Sequence, residues 1–74
     1  MSDQGRDFEK EYSAKETAAK LRRLADCIEE GKPFEIMIGG ERIYVPVRAT
    51  FNIEHERSDE EEEVEFQFKW AREP

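Results

Sequence analysis

The side chains in this sequence that could do chemistry fall in three places: an acidic run over residues 59–63 continued by Glu65, the histidine of "EHE" at His55, and one thiol at Cys27. Contiguous carboxylates suggest a divalent cation. Ca²⁺ loops, however, space their ligands at alternating positions and place a glycine at the sharp bend. The stretch "SDEEEE" has no glycine and no asparagine, and its glutamates are consecutive. It reads as a solvated turn that keeps an exposed hairpin soluble.

His55 is the only histidine, and Glu54 and Glu56 flank it. Neighbours on a strand point to opposite faces, so the three do not converge on one ion, whereas zinc needs three or four convergent ligands. His55 is expected near the end of the inward face, half-buried beside Phe66. Cys27 and His55 could act as nucleophile and base only if a third group oriented the imidazole and donors framed an oxyanion. The sequence supplies neither, and Cys27 lies on the flank of its helix's apolar stripe. Gly39 and Gly40 stand between two strands and open no helix, unlike a phosphate loop. No metal, cofactor or catalytic residue is expected, and the chain reads as non-enzymatic.

The elements that must position these residues follow from periodicity. "SAKE" from Ser13 is a capping box, with a hydroxyl N-cap and Glu16 three residues on. Thr17, Ala18, Leu21, Leu24, Ala25 and Ile28 then form one helical stripe. Gly31 supplies a left-handed cap and Pro33 blocks continuation, giving a helix over roughly 13–31. The period then changes to two. "FEIMI" and "RIYV" flank Gly39 and Gly40, a hairpin signal because a two-residue turn needs positive φ. That turn sets Phe34 opposite Val45, Glu35 opposite Tyr44, Ile36 opposite Ile43 and Met37 opposite Arg42. Pro46 lacks a ladder donor and suits a strand end.

"TFNIEHER" and "EEEVEFQFKW" form a second hairpin. Like charges directly opposite each other are unfavourable. The register is therefore expected to avoid setting Glu54 against Glu65 and Glu56 against Glu63. It should pair Ile53 with Phe68 and Phe51 with Trp70, across a loop of about six residues. "DFEKEY" is a candidate fifth strand with Phe8 and Tyr12 inward, and residues 1–6 are expected to be disordered. The predicted architecture is α+β: one amphipathic helix packed on one face of an antiparallel sheet of four or five strands. Phe66, Phe68 and Trp70 are expected to close the core beneath the helix.

Seventy-four residues make one domain, 1–74. At this length a single core supplies about 3–5 kcal/mol of net stability, and a disulfide, metal or second subunit often supplements it. One cysteine allows no internal disulfide. The net charge is −7, and it is uneven: residues 49–74 hold nine acidic and three basic side chains. Such a surface repels phosphates and anionic lipid, which argues against direct nucleic-acid binding and membrane association. Glu63, Glu65 and Gln67 interleave the apolar side chains of the closing strand, where stacking on single strands requires basic residues, which also argues against that use. A lone thiol, a polar charged start and no long apolar run point to the cytoplasm.

The ordered set "SAKETAAKLRRLADCIEEGKPFEI", "RIYVPV", "ATFNIEHER" and "EEEVEFQFKW", ending at Trp70, resembles the amphi-Trp domain family over residues 8 to 70. That resemblance implies a small stand-alone or appended domain of prokaryotic proteins. It brings no catalytic residues with it.

With one face of the sheet covered by the helix, the other looks outward. Met37 and Tyr44 stand out there, an apolar and an amphipathic side chain on adjacent strands, with Glu35 and Arg42 beside them. Such residues are enriched at interfaces. The leading expectation is a protein-interaction module that binds a partner protein or a second copy through this face or an open strand edge. The alternative is an acidic surface that binds or mimics nucleic acid for a basic partner. A small-ligand or metal binder is the third.

Overall fold

A computed structural model describes residues 5–73. The helix α1 spans Ala14–Glu30, and four strands follow: β1 Phe34–Ile38, β2 Glu41–Val45, β3 Thr50–Arg57 and β4 Glu62–Lys69. The class is α+β, as expected. The strands are antiparallel but form two separate two-stranded sheets, β1 with β2 and β3 with β4, rather than one. The chain between β2 and β3 explains the break. Pro46 offers no N–H, and residues 46–49 close a turn in which the Ala49 amide donates to the Pro46 carbonyl at 3.1 Å. This corner turns β3 away from the edge of β2.

Both ends of α1 follow the expected chemistry. The Ser13 hydroxyl accepts from the Glu16 amide at 3.1 Å, and the Ser13 amide donates to the Glu16 carboxylate at 3.2 Å. The same bonds hold the Glu16 carboxyl below the usual glutamate range. Gly31 caps the other end at φ 68, in the left-handed region. Arg23 fastens the helix to the first hairpin. Its guanidinium donates to the Glu35 carbonyl at 2.8 Å and lies 4.8 Å from the centre of the Phe34 ring.

The β1–β2 register is the expected one at every position, with Gly39 and Gly40 at φ 56 and 79 in the turn. Residues 7–12 form no strand. The N-terminal segment instead clamps that turn. Arg6 donates to the Ile38 carbonyl at 2.7 Å and pairs with Glu41 at 3.0 Å, and Phe8 lies against Gly39. Tyr12, also expected on a strand, is half-buried with the ammonium groups of Lys10 and Lys20 over its ring. Of the residues expected to be disordered, 1–4 lie outside the described part.

The second hairpin departs from expectation. Phe51 faces Phe68 and Ile53 faces Phe66, while Glu54 stands against Glu65 and Glu56 against Glu63. This is the register that charge reasoning disfavoured. Its tip compensates. The Ser58 amide donates to the Glu61 carbonyl at 2.8 Å, and the Ser58 hydroxyl accepts from the amides of Glu60 and Glu61. The loop is thus four residues, not six. Glu62 then reaches both Arg57 and His55. Phe51 and Phe68 meet edge to face with centroids 5.2 Å apart, and Trp70 lies beyond the strand rather than opposite Phe51.

The core is small. Among the described residues only Phe34 and Ala49 are buried apolar residues, and α1 buries none fully. Leu24, Cys27 and Ile28 meet Phe34, Val45, Phe51 and Phe68 around an apolar cavity of about 140 Å³. This is where the helix and both hairpins converge.

Candidate interaction surfaces

On the outer face of β1–β2, Met37 and Tyr44 are both exposed. Glu35 and Arg42 form an ion pair of 2.8 Å beside them. Hydrogen bonding to Tyr44, then the charge of Glu35, raises the Arg42 pKa, so the guanidinium is a fixed positive charge. The four residues expected to mark an interaction surface therefore share one region of this hairpin, two of them bound to each other.

A second surface lies where core was expected. Along β3–β4, alternation puts Phe51, Ile53, His55 and Arg57 on the same face as Glu62, Val64, Phe66 and Phe68. The near end of this face, Phe51 and Phe68, lines the cavity together with residues of the helix, β1 and β2. Farther out, Ile53 is 64% exposed, Val64 61% and Phe66 62%. The expectation that Phe66 closes the core is thus corrected, while Phe68 and Trp70 are half-buried. The cause is geometric. Seventeen helical residues span about 25 Å, yet the helix lies over β1 and reaches only the base of the second hairpin. The sequence signal available was the apolar content of β3 and β4, which exceeds what one helical stripe can cover.

His55 sits toward the end of this face, exposed rather than half-buried, opposite Val64 and not Phe66. Its Nε2 lies 2.8 Å from the Glu62 carboxylate, which also accepts from Arg57 at 2.9 Å. Those two hydrogen bonds, His55 first, hold the Glu62 carboxyl below its usual range. Cys27 lines the cavity, half-buried, and His55 does not. The thiol and imidazole are therefore not brought together there. Among the described residues no group of three or more His, Cys, Asp and Glu is placed to hold a metal ion.

The opposite face of the same hairpin is acidic. The charge of Glu56 pushes the Glu63 carboxyl above the usual range. Donation of a hydrogen bond to Glu54, then the charge of Glu63, does the same for Glu65. One hairpin thus carries an apolar face and a negatively charged face back to back. Among the described residues no helix is long and apolar enough to cross a membrane.

Comparison with curated proteins gives no match, and neither does comparison with solved structures. A family model does match, over residues 2–74, nearly the whole chain and including the amphipathic closing strand with Trp70. The chain belongs to the Amphi-Trp domain family.

Proposed function

We propose that this chain is a small non-enzymatic protein-interaction module. The observation that carries the reading is the apolar stripe of Ile53, Val64 and Phe66, more than half exposed on a hairpin that projects from the helix. Contiguous exposed apolar surface on a soluble chain marks an interaction site. The outer face of β1–β2, with Met37, Tyr44, Arg42 and Glu35, is a second docking surface, and each two-stranded sheet also leaves strand edges for β-augmentation. The module acts in the cytoplasm, in keeping with its single free thiol.

The test is capture from a lysate of its own cells by the immobilised domain, washed at low and then moderate salt. The wild type is compared with Phe66→Glu and with Met37→Ser/Tyr44→Ser. Retention that survives the salt wash and is lost in either variant supports the reading and identifies the face. The reading is overturned if nothing is retained, the chain's own copies included.

A second reading draws on the opposed glutamates. The pairs of Glu54 with Glu65 and Glu56 with Glu63 form a close-set negative surface able to bind a basic protein in the manner of nucleic acid. Contacts of that kind are screened by salt. A partner that binds at low salt and leaves at moderate salt, with Phe66→Glu having no effect, would favour it.

A further inference from the structure

We infer that the apolar face of hairpin β3–β4 is a homodimer interface, with a second copy of this chain as its occupant. The inference rests on the interaction-module reading and assigns its partner. Three observations carry it.

The first is area. A compact monomer of 8.8 kDa exposes roughly 4,800 Å², but this chain exposes 6822 Å². The excess, roughly 2,000 Å², is more than the roughly 800 Å² per partner that a standard stable interface buries. The radius of gyration agrees: 14.2 Å against about 11 Å for a compact chain of this length. With only Phe34 and Ala49 buried among the described residues, the single chain lacks the core that holds small domains together. A second subunit supplies one.

Charge is the second. On this face Arg57 and Glu62 neutralise each other at 2.9 Å, so two copies meet without repulsion. On the opposite face Glu54, Glu56, Glu63 and Glu65 set two copies against each other. Stacking through the apolar faces buries Ile53, Val64 and Phe66 of both copies and turns the acidic faces outward. A two-fold arrangement lets one self-complementary patch serve both subunits. A strongly charged partner finds no matching charge here.

The third is continuity. Phe51 and Phe68 belong both to this face and to the cavity beneath the helix. A second copy seated on the hairpin extends the chain's own small core across the interface.

The experiment is sedimentation equilibrium over a concentration series. The expected mass rises from that of one chain to twice that value with concentration. Ile53→Glu/Phe66→Glu weakens association at least about 100-fold, as buried hot spots do, while Met37→Ser/Tyr44→Ser leaves it within about two-fold. Helical circular dichroism verifies that each variant is folded. If the double glutamate variant is unfolded, Val64→Ser takes its place, and folded but weakened association is again expected. A wild type that stays at one chain mass throughout overturns the inference, while lysate capture still decides whether another protein docks. Association that survives the β3–β4 changes, or is lost through Met37 and Tyr44 instead, overturns it as well.

Discussion

Glu54 and Glu65 stand directly opposite each other across hairpin β3–β4, and their hydrogen bond raises the Glu65 pKa. Glu56 and Glu63 repeat the arrangement one step toward the tip. The folded chain therefore binds protons at Glu63 and Glu65 more readily than the unfolded chain does. When the native state holds more protons, stability falls as pH rises and grows as pH falls. The window runs from the raised native values down to the ordinary glutamate value of about 4.3. Thermal melts should show a modest gain in Tm on acidification from neutral pH toward that value. Glu54→Gln/Glu56→Gln should flatten the gain and raise Tm at pH 7. Glu62 and Glu16 act in the other direction: their lowered values give stability present above the unfolded value and lost as pH falls through the native one. Stability should thus pass through a maximum in mild acid.

Gly39 and Gly31 both adopt positive φ, in different surroundings. A Cβ at Gly31 meets nothing within 4 Å, whereas one at Gly39 comes within 2.9 Å of the Phe8 ring and 2.5 Å of the Arg6 guanidinium. Gly31→Ala carries only the left-handed backbone penalty, about 1–2 kcal/mol. Gly39→Ala adds displacement of the N-terminal clamp and should exceed it. Urea unfolding of the two variants side by side measures the difference.

Removing the Ser13 hydroxyl deletes the N-cap acceptor of α1. Ser13→Ala should lower stability by about 1 kcal/mol in urea unfolding. It should also return the Glu16 carboxyl toward its ordinary range, observable as a shift of its titration by NMR.

Arg23 joins the helix to β1 through one charged hydrogen bond and one contact with an aromatic ring. Arg23→Met keeps most of the apolar stem and removes both. A loss of about 1–2 kcal/mol is expected, with Arg23→Lys recovering only part because an ammonium lacks the planar fork.

These residues also mark what could be read from the sequence. Ser13, Glu16 and Gly31 bound the helix because capping depends on neighbours a few residues apart. The register of β1–β2 was equally legible, since Gly39 and Gly40 admit one tight turn and both faces then agree. Met37, Tyr44, Glu35 and Arg42 follow from that register. The β3–β4 register was not legible from charge pairing. Exposed glutamates repel weakly, and the turn at Ser58, together with the pull of His55 and Arg57 on Glu62, outweighs them. Nor was it legible which apolar side chains are covered. Alternation reads the same for Phe66 whether its own helix or another chain packs on it, and the separation of the sheets at Pro46 decides that exposure. The segment with Phe8 looked like a strand, but Arg6 holds it at the hairpin turn instead.

In the proposed dimer the Ile53, Val64 and Phe66 face, exposed in the single chain, is covered by a second copy. Methyl NMR with a soluble, neutral paramagnetic probe tests this directly, with the Ala49 methyl as the buried reference. The predicted result is strong broadening of the Ile53 and Val64 methyls in dilute protein, and protection as concentration rises. Shielding equal to that of Ala49 at every dilution would place this face inside the chain's own core and overturn the proposed interface.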